Sequence, residues 1–255
     1  MPLTEFLPTN LYAAFLIFSR IGTMMMLMPG FGEVFVPQRY RLLLALFMAA
    51  LLTPVLLPVL PPLPSSPARL AVIVGGEVAI GAFIGTVARI LVGALETAGT
   101  VVSLQLGLSA AAMFNPLGDQ SDSPLPSALL GMLGIVLIFV TNLYQMLLRA
   151  AVESYAVFTP GALPPLGDFS NAVAHVVAGS FRLGIEIASP FIVLGLVFFL
   201  ALGLVARMVP QLQVMFIAQP LQIIAGLFVF AAVLVTGMRW FLDEFVRQFA
   251  FLAGH

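Results

Sequence analysis

The 255 residues are 61% hydrophobic and 8% charged, with a mean hydropathy of +1.13, whereas a soluble domain carries about 25% charged residues. This is the composition of an integral membrane protein, and a net charge of −1 excludes a nucleic-acid-binding surface as its main business. Cysteine and lysine are both absent, so there is no disulfide framework, no phosphate-loop lysine and no Schiff-base chemistry.

The opening MPLTEFLPTN carries Glu5 and no basic n-region, so it does not read as a signal peptide. Leu11 to Met28 is the first apolar segment, short for a span of ~20 residues and interrupted by Arg20. Pro29, Gly30, Gly32 and Pro37 predict a turn, followed by Arg39 and Arg41. Leu42 to Leu60 is the second segment, and PVLPPLPSSP reads as a stiff connector. Leu70 to about Leu95 is the third, interrupted by Glu77 and Arg89.

The central stretch, Thr97 to Pro126, begins as an apolar helix pattern and ends in a polar, proline-bounded run that cannot cross a bilayer. Non-helical backbone at membrane depth is tolerated only where protein or a cavity supplies its hydrogen bonds. The stretch therefore reads as a re-entrant or pore-occluding segment, against the plainer reading of a loop linking two spans. Ser127 to Leu148 has no ionisable residue and is long enough to span. A polar, turn-rich interval is expected from Arg149 to about Gly184. Ile187–Ala206 and Val214–Met238 form the last two segments, joined by RMVPQLQ, with Arg207, Pro210 and Gln211, as a tight helical hairpin. Arg239, Asp243 and Arg247 follow at four-residue spacing on one helix face. The total is six segments, with Thr97–Met113 as an extra one. Arginines divide four against five between the two sides, so the positive-inside rule gives no orientation.

Glu77, Gly81, Gly85, Arg89, Gly93 and Thr97 recur every four residues. Stripes of small residues let helices approach closely, and Glu77 within one raises the alternative of an ion pathway. Glu77 and Arg89 lie ~18 Å apart along a helix and cannot pair. Arg20 needs a partner, with Glu77, Glu96 and Glu186 as candidates, whereas Arg149–Glu153 and Arg182–Glu186 have the spacing to neutralise locally. PLGD occurs twice, ending at Asp119 and Asp168, but without the leading glycine of GxGD-type intramembrane proteases. His175 and His255 form no metal-binding helix motif. The Met24–Met28 cluster reads as packing, with a soft seal against variable cargo as the alternative. No catalytic, cofactor or metal site emerges, and the rival class is a secondary transporter with proline-broken helices around a midplane site.

Two long stretches, TAGTVVSLQLGLS at 97–109 and ALGLVARMVPQLQVMFIAQPLQIIAG at 201–226, resemble one known family. It holds the R subunit of the bacterial flagellar export gate and the T subunit of virulence type III secretion systems. Arg20 with Pro29 and Pro37, and Glu77 with Gly81 and Gly85, agree in order. The resemblance implies an all-α, polytopic, non-enzymatic membrane subunit of about six long helices. Residues 1–255 would form one export-gate domain, about 1–175 resembling the gate's P subunit and about 176–255 its Q subunit.

It further implies one copy of this chain among P and Q subunits in the inner membrane at the flagellar basal body. The A and B subunits and exported flagellar proteins would be further partners. The family's plug would fall on Leu106, Gly107, Leu108, Ser109, Ala110, Ala111, Ala112, Met113, Phe114, Asn115, Pro116, Leu117, Gly118, Asp119 and Gln120. Three alanines suit a crowded axis, Met113 and Phe114 supply apolar bulk, and Asn115-Pro116 with Gly118 supplies turn chemistry. Asn115 stands where relatives commonly carry Asp, which leaves a charge-based role at that position unsupported. The helix-packing and intramembrane polar set expected from the residues themselves is Arg20, Glu77, Gly81, Gly85, Arg89 and Glu186.

Overall fold

A computed structural model describes residues 3–108, 124–162, 166–208 and 214–252. Among these the fold is all-α: α1 (Leu3–Leu27), α2 (Gln38–Leu56) continued by a 3-10 turn at Leu57–Val59, α3 (Pro67–Gln105), α4 (Leu125–Val140), α5 (Leu143–Val157), α6 (Leu166–Met208) and α7 (Val214–Leu252). Five helices are long and apolar enough to cross a membrane, or six if the bent pair α4 and α5 counts as one span. The six-segment expectation is therefore met only through that pair.

Three helices are far longer than a bilayer requires. The 39 residues of α3, 43 of α6 and 39 of α7 rise to about 58, 64 and 58 Å, against a hydrocarbon core of about 30 Å. The third apolar segment and the extra one at Thr97 are thus one helix as far as Gln105. The expected single span Ser127–Leu148 is broken at Thr141–Asn142, where Asn142 takes φ 61°, a left-handed conformation that asparagine tolerates better than most residues.

The interval expected to be turn-rich from Arg149 to Gly184 is mostly helix, because amphipathic helices need no apolar run. In α5, Leu147, Ala151, Ser154 and Tyr155 are buried at helical spacing. In the first turns of α6, Phe169, Val176, Ser180 and Leu183 do the same. Pro190 lies inside α6 and cannot donate to the carbonyl four residues back. The hydroxyl of Ser189 donates to that carbonyl, Glu186 O, at 2.8 Å.

The chain forms two compact units. The first comprises Met1–Ile90, Phe139–Val177 and Val246–His255, the second Leu91–Ile138 and Ala178–Phe245. In the first, Ile17, Ile21, Met25, Ala45, Ala49, Leu56 and Tyr155 pack together, as do Tyr12, Leu16 and Ile73. Met24, Met25 and Met28 are all buried, which gives the methionine cluster its packing role. The turn after α1 is held by Arg41, whose guanidinium donates to Val36 O at 2.9 Å, Gly32 O at 3.0 Å and also Glu33 O. In the second unit, Val102 of α3 and Leu106, the residue after its end, pack with Ala188 and Phe191 of α6. Phe191 meets Phe230 of α7 at 6.0 Å, and Ile187 lies against Gly237. That pairing runs antiparallel, as the hairpin reading expects.

Candidate functional site

Two arrangements stand out, one in each unit. In the first unit, Arg20 of α1 sits 1% exposed beside Glu77 of α3, also 1% exposed. Nε of Arg20 donates to Glu77 Oε2 at 2.6 Å, one Nη to Ser154 Oγ at 3.1 Å and the other to Phe158 O at 3.2 Å. The guanidinium also lies over the Tyr155 ring, 3.9 Å from its centre. Ser154 is a relay, since its hydroxyl donates to Ala151 O at 2.7 Å.

An isolated charge in such a place is very costly, and it persists only when paired and hydrogen-bonded. Arg20 therefore ties α1 and α3 to the end of α5. Of its three candidate partners, Glu77 is the one it meets. An ion pathway through Glu77 finds no free carboxylate here.

The small-residue stripe makes this approach feasible. A Cβ on Gly81 would overlap the backbone carbonyl of Arg20, and one on Gly85 would fall 2.8 Å from both Met24 O and Leu27 Cβ. At Gly93 a Cβ meets nothing within 4 Å, so among the stripe's glycines the close approach falls at Gly81 and Gly85. Arg89 is exposed. Glu186 is also exposed and pairs with Arg182 at 2.7 Å, whereas exposed Arg149 and Glu153 form no ion pair with each other. Phe83 stacks on Phe169 at 4.2 Å, and Phe158 meets Phe169 edge-on at 5.2 Å. Beside this group a cavity of ≈ 20 Å³, lined by Ser154 and Phe158 among others, has room for about one water.

The second arrangement is the end of α3, where the central stretch begins. A helix leaves its last carbonyls without intrahelical donors. Here Leu106 N donates to Val102 O at 2.9 Å and Gly107 N to Leu104 O at 3.2 Å. Gln105 O is taken by the side-chain amide of Gln222, on α7, at 2.5 Å. Gly107 has φ 70°, the left-handed position that ends helices and favours glycine.

Two further glycines make room for the last side chains of α3. A Cβ on Gly226 of α7 would overlap Leu106, and one on Gly195 of α6 would overlap the Gln105 amide oxygen. Leu106 is 1% and Gln222 6% exposed.

Of the expected plug, Leu106 is buried, while Gly107 and Leu108 are half-buried at this helix end. Ser109, Ala110, Ala111, Ala112, Met113, Phe114, Asn115, Pro116, Leu117, Gly118, Asp119 and Gln120 lie outside the described residues. In the hairpin turn, Arg207 is exposed in the last turn of α6, and Pro210 and Gln211 lie outside the described residues. Gln222 and Gly226 were not singled out from sequence. Their signal was present in AQPLQIIAG, where a glutamine and a glycine four residues apart share one face of an otherwise apolar helix.

The fold and these two sites define a helical integral membrane protein that buries polar anchors within its long helices. The family described as bacterial export proteins, family 1, matches residues 11–248, and the chain belongs to it. The flagellar biosynthetic protein FliR of Caulobacter vibrioides is 41% identical over 218 residues, covering 86% of each chain. FliR of Bacillus subtilis is 28% identical over 218 residues, covering 84% of this chain and 83% of its own length. The Yop proteins translocation protein T of Yersinia pestis is 30% identical over 159 residues, covering 60% of this chain and 59% of its own.

Proposed function

We propose that this chain is a structural, non-enzymatic subunit of the flagellar protein-export gate, forming and sealing part of the channel through which flagellar proteins leave the cell. The supporting observation is the 41% identity shared with a flagellar relative across 86% of both chains. The virulence-type relative is matched over a smaller share, 60%, which favours the flagellar reading.

The gate subunit sits in the bacterial inner membrane at the basal body, in one copy among P and Q subunits and in reach of the A and B subunits. Residues of about 1–175 form its P-like part and about 176–255 its Q-like part. The stretch from Leu106 to Gln120 occludes the resting channel. Small residues at Ala110–Ala112 suit a crowded axis, and Met113 and Phe114 exclude water without a covalent tie, so that cargo can displace them.

One experiment tests the assignment. In a flagellated bacterium lacking this gene, the tagged chain is expected to restore flagella and to co-purify as a large hetero-oligomer. A stable monomer that binds a small solute, with no export defect in the null strain, would point to a transporter instead.

A further inference from the structure

The contact between Gln222 and the end of α3 has the properties of a positioning device. Gln222 is buried, sits on a different helix 117 residues away, and spends its amide on a backbone carbonyl rather than on another side chain. A backbone carbonyl at a buried helix end has to be satisfied from somewhere. A neighbouring helix that supplies the donor also fixes where that end lies. Gly226, one turn further along α7, accepts the Leu106 side chain in the space a Cβ would fill.

Gln222 and Gly226 thus hold consecutive residues at the end of α3, its last residue Gln105 and the following Leu106, by a hydrogen bond and by a steric socket. The chain changes direction at the next residue, Gly107, whose φ of 70° belongs to the left-handed region. We propose that Gln222 is the positioning residue that sets the point and direction at which the central stretch leaves α3. This rests on the reading of that stretch as the channel's occluding segment. An apolar side chain of the same length would remove the donor that Gln222 gives Gln105 O and loosen the hold on the end of α3.

The test uses the assembled gate in its membrane, with ion conductance and assembly measured on the same preparations. Gln222→Met keeps length and volume but has no amide. Gln222→Glu keeps the shape but puts a carboxylate oxygen, an acceptor, where the amide donated. Both are expected to assemble at wild-type yield and raise resting conductance at least severalfold, while deletion of Ser109–Gly118 raises it further. Adding Gln222→Met to that deletion is expected to change nothing more, because the residue acts only through the stretch it positions.

A deletion without leak would overturn the occlusion reading itself. A leaky deletion beside tight, fully assembled Gln222→Met and Gln222→Glu gates would overturn the role of Gln222 alone. Failure of both point variants to assemble would assign Gln222 to the fold and likewise overturn the proposal. An increase that persists on top of the deletion would do so too.

Discussion

Arg20 and Glu77, 57 positions apart in sequence, meet at 2.6 Å with both side chains almost wholly buried. The pair is the polar centre of the first unit: its members come from α1 and α3, and their partners Ser154, Tyr155 and Phe158 from the end of α5. Removing one member of a buried pair leaves the other uncompensated, at a cost of about 3–5 kcal/mol. Arg20→Met and Glu77→Leu are each expected to lower the detergent-solubilised unfolding midpoint strongly and to reduce protein level. The double variant Arg20→Met/Glu77→Leu is expected to recover much of the loss, since the two charges disappear together. Additive losses in the double-mutant cycle would show that the pair carries no coupling.

The glycine stripe gives a graded prediction. Gly81→Ala drives a methyl into the Arg20 backbone, where no side-chain motion can relieve it. Folded protein is expected to fall sharply, and more so for Gly81→Leu. Gly93→Ala and Gly75→Ala enter open space, and replacing glycine within a helix stabilises by about 0.5–1 kcal/mol. Thermal unfolding of the four variants orders them directly. Equal tolerance at positions 81 and 93 would remove the close-approach role of Gly81.

How much of this was legible beforehand depended on the kind of signal. Apolar runs gave the hairpin of the last two segments, the need of Arg20 for a carboxylate, and a count of six that holds when the bent pair α4 and α5 is taken as one span. They misplaced helix ends wherever a helix continues as an amphipathic one. The first 21 residues of α6 carry Asp168, His175, Arg182 and Glu186, so a window tuned to bilayer hydropathy reads them as loop.

The choice of Glu77 over Glu96 and Glu186 needed the packing of α1 on α3, which the spacing of residues along one chain does not contain. Gly81 and Gly85 were legible as a close-approach stripe, but the same spacing includes Gly93, where a Cβ would enter open space. The sequence places Gln222 on one face with Gly226, but its role there was not legible, for a related reason. Its partner is a backbone carbonyl, and every residue has one.

Arg41 offers a test of local order. Its guanidinium collects three carbonyls of the turn at 32–36, a fork that a lysine ammonium cannot reproduce. Arg41→Lys and Arg41→Ala are both expected to raise hydrogen-exchange rates at residues 28–37 by at least tenfold while leaving α1 and α2 protected. Protection of the turn in both variants would mean that Gly30, at φ 84°, and the flanking prolines suffice to hold it.

Ser189 and Pro190 provide the last test, because their roles are chemically linked. Pro190 deprives Glu186 O of its helical donor, and the Ser189 hydroxyl replaces it at 2.8 Å. Within a span, lipid cannot take over, although neighbouring hydroxyls commonly do. Ser189→Ala is therefore expected to destabilise by about 1 kcal/mol, read as a fall in the unfolding midpoint of the purified chain in lipid nanodiscs. Pro190→Ala restores the backbone donor, so Ser189→Ala introduced into that background is expected to cost almost nothing. The difference between the two backgrounds isolates the hydroxyl's backbone contact from any packing change. Water reaching Glu186 O would make Ser189→Ala neutral in both, and this face of α6 would then be wet rather than lipid-covered. An equal loss in both backgrounds would instead assign Ser189 to a contact other than the carbonyl that Pro190 leaves open.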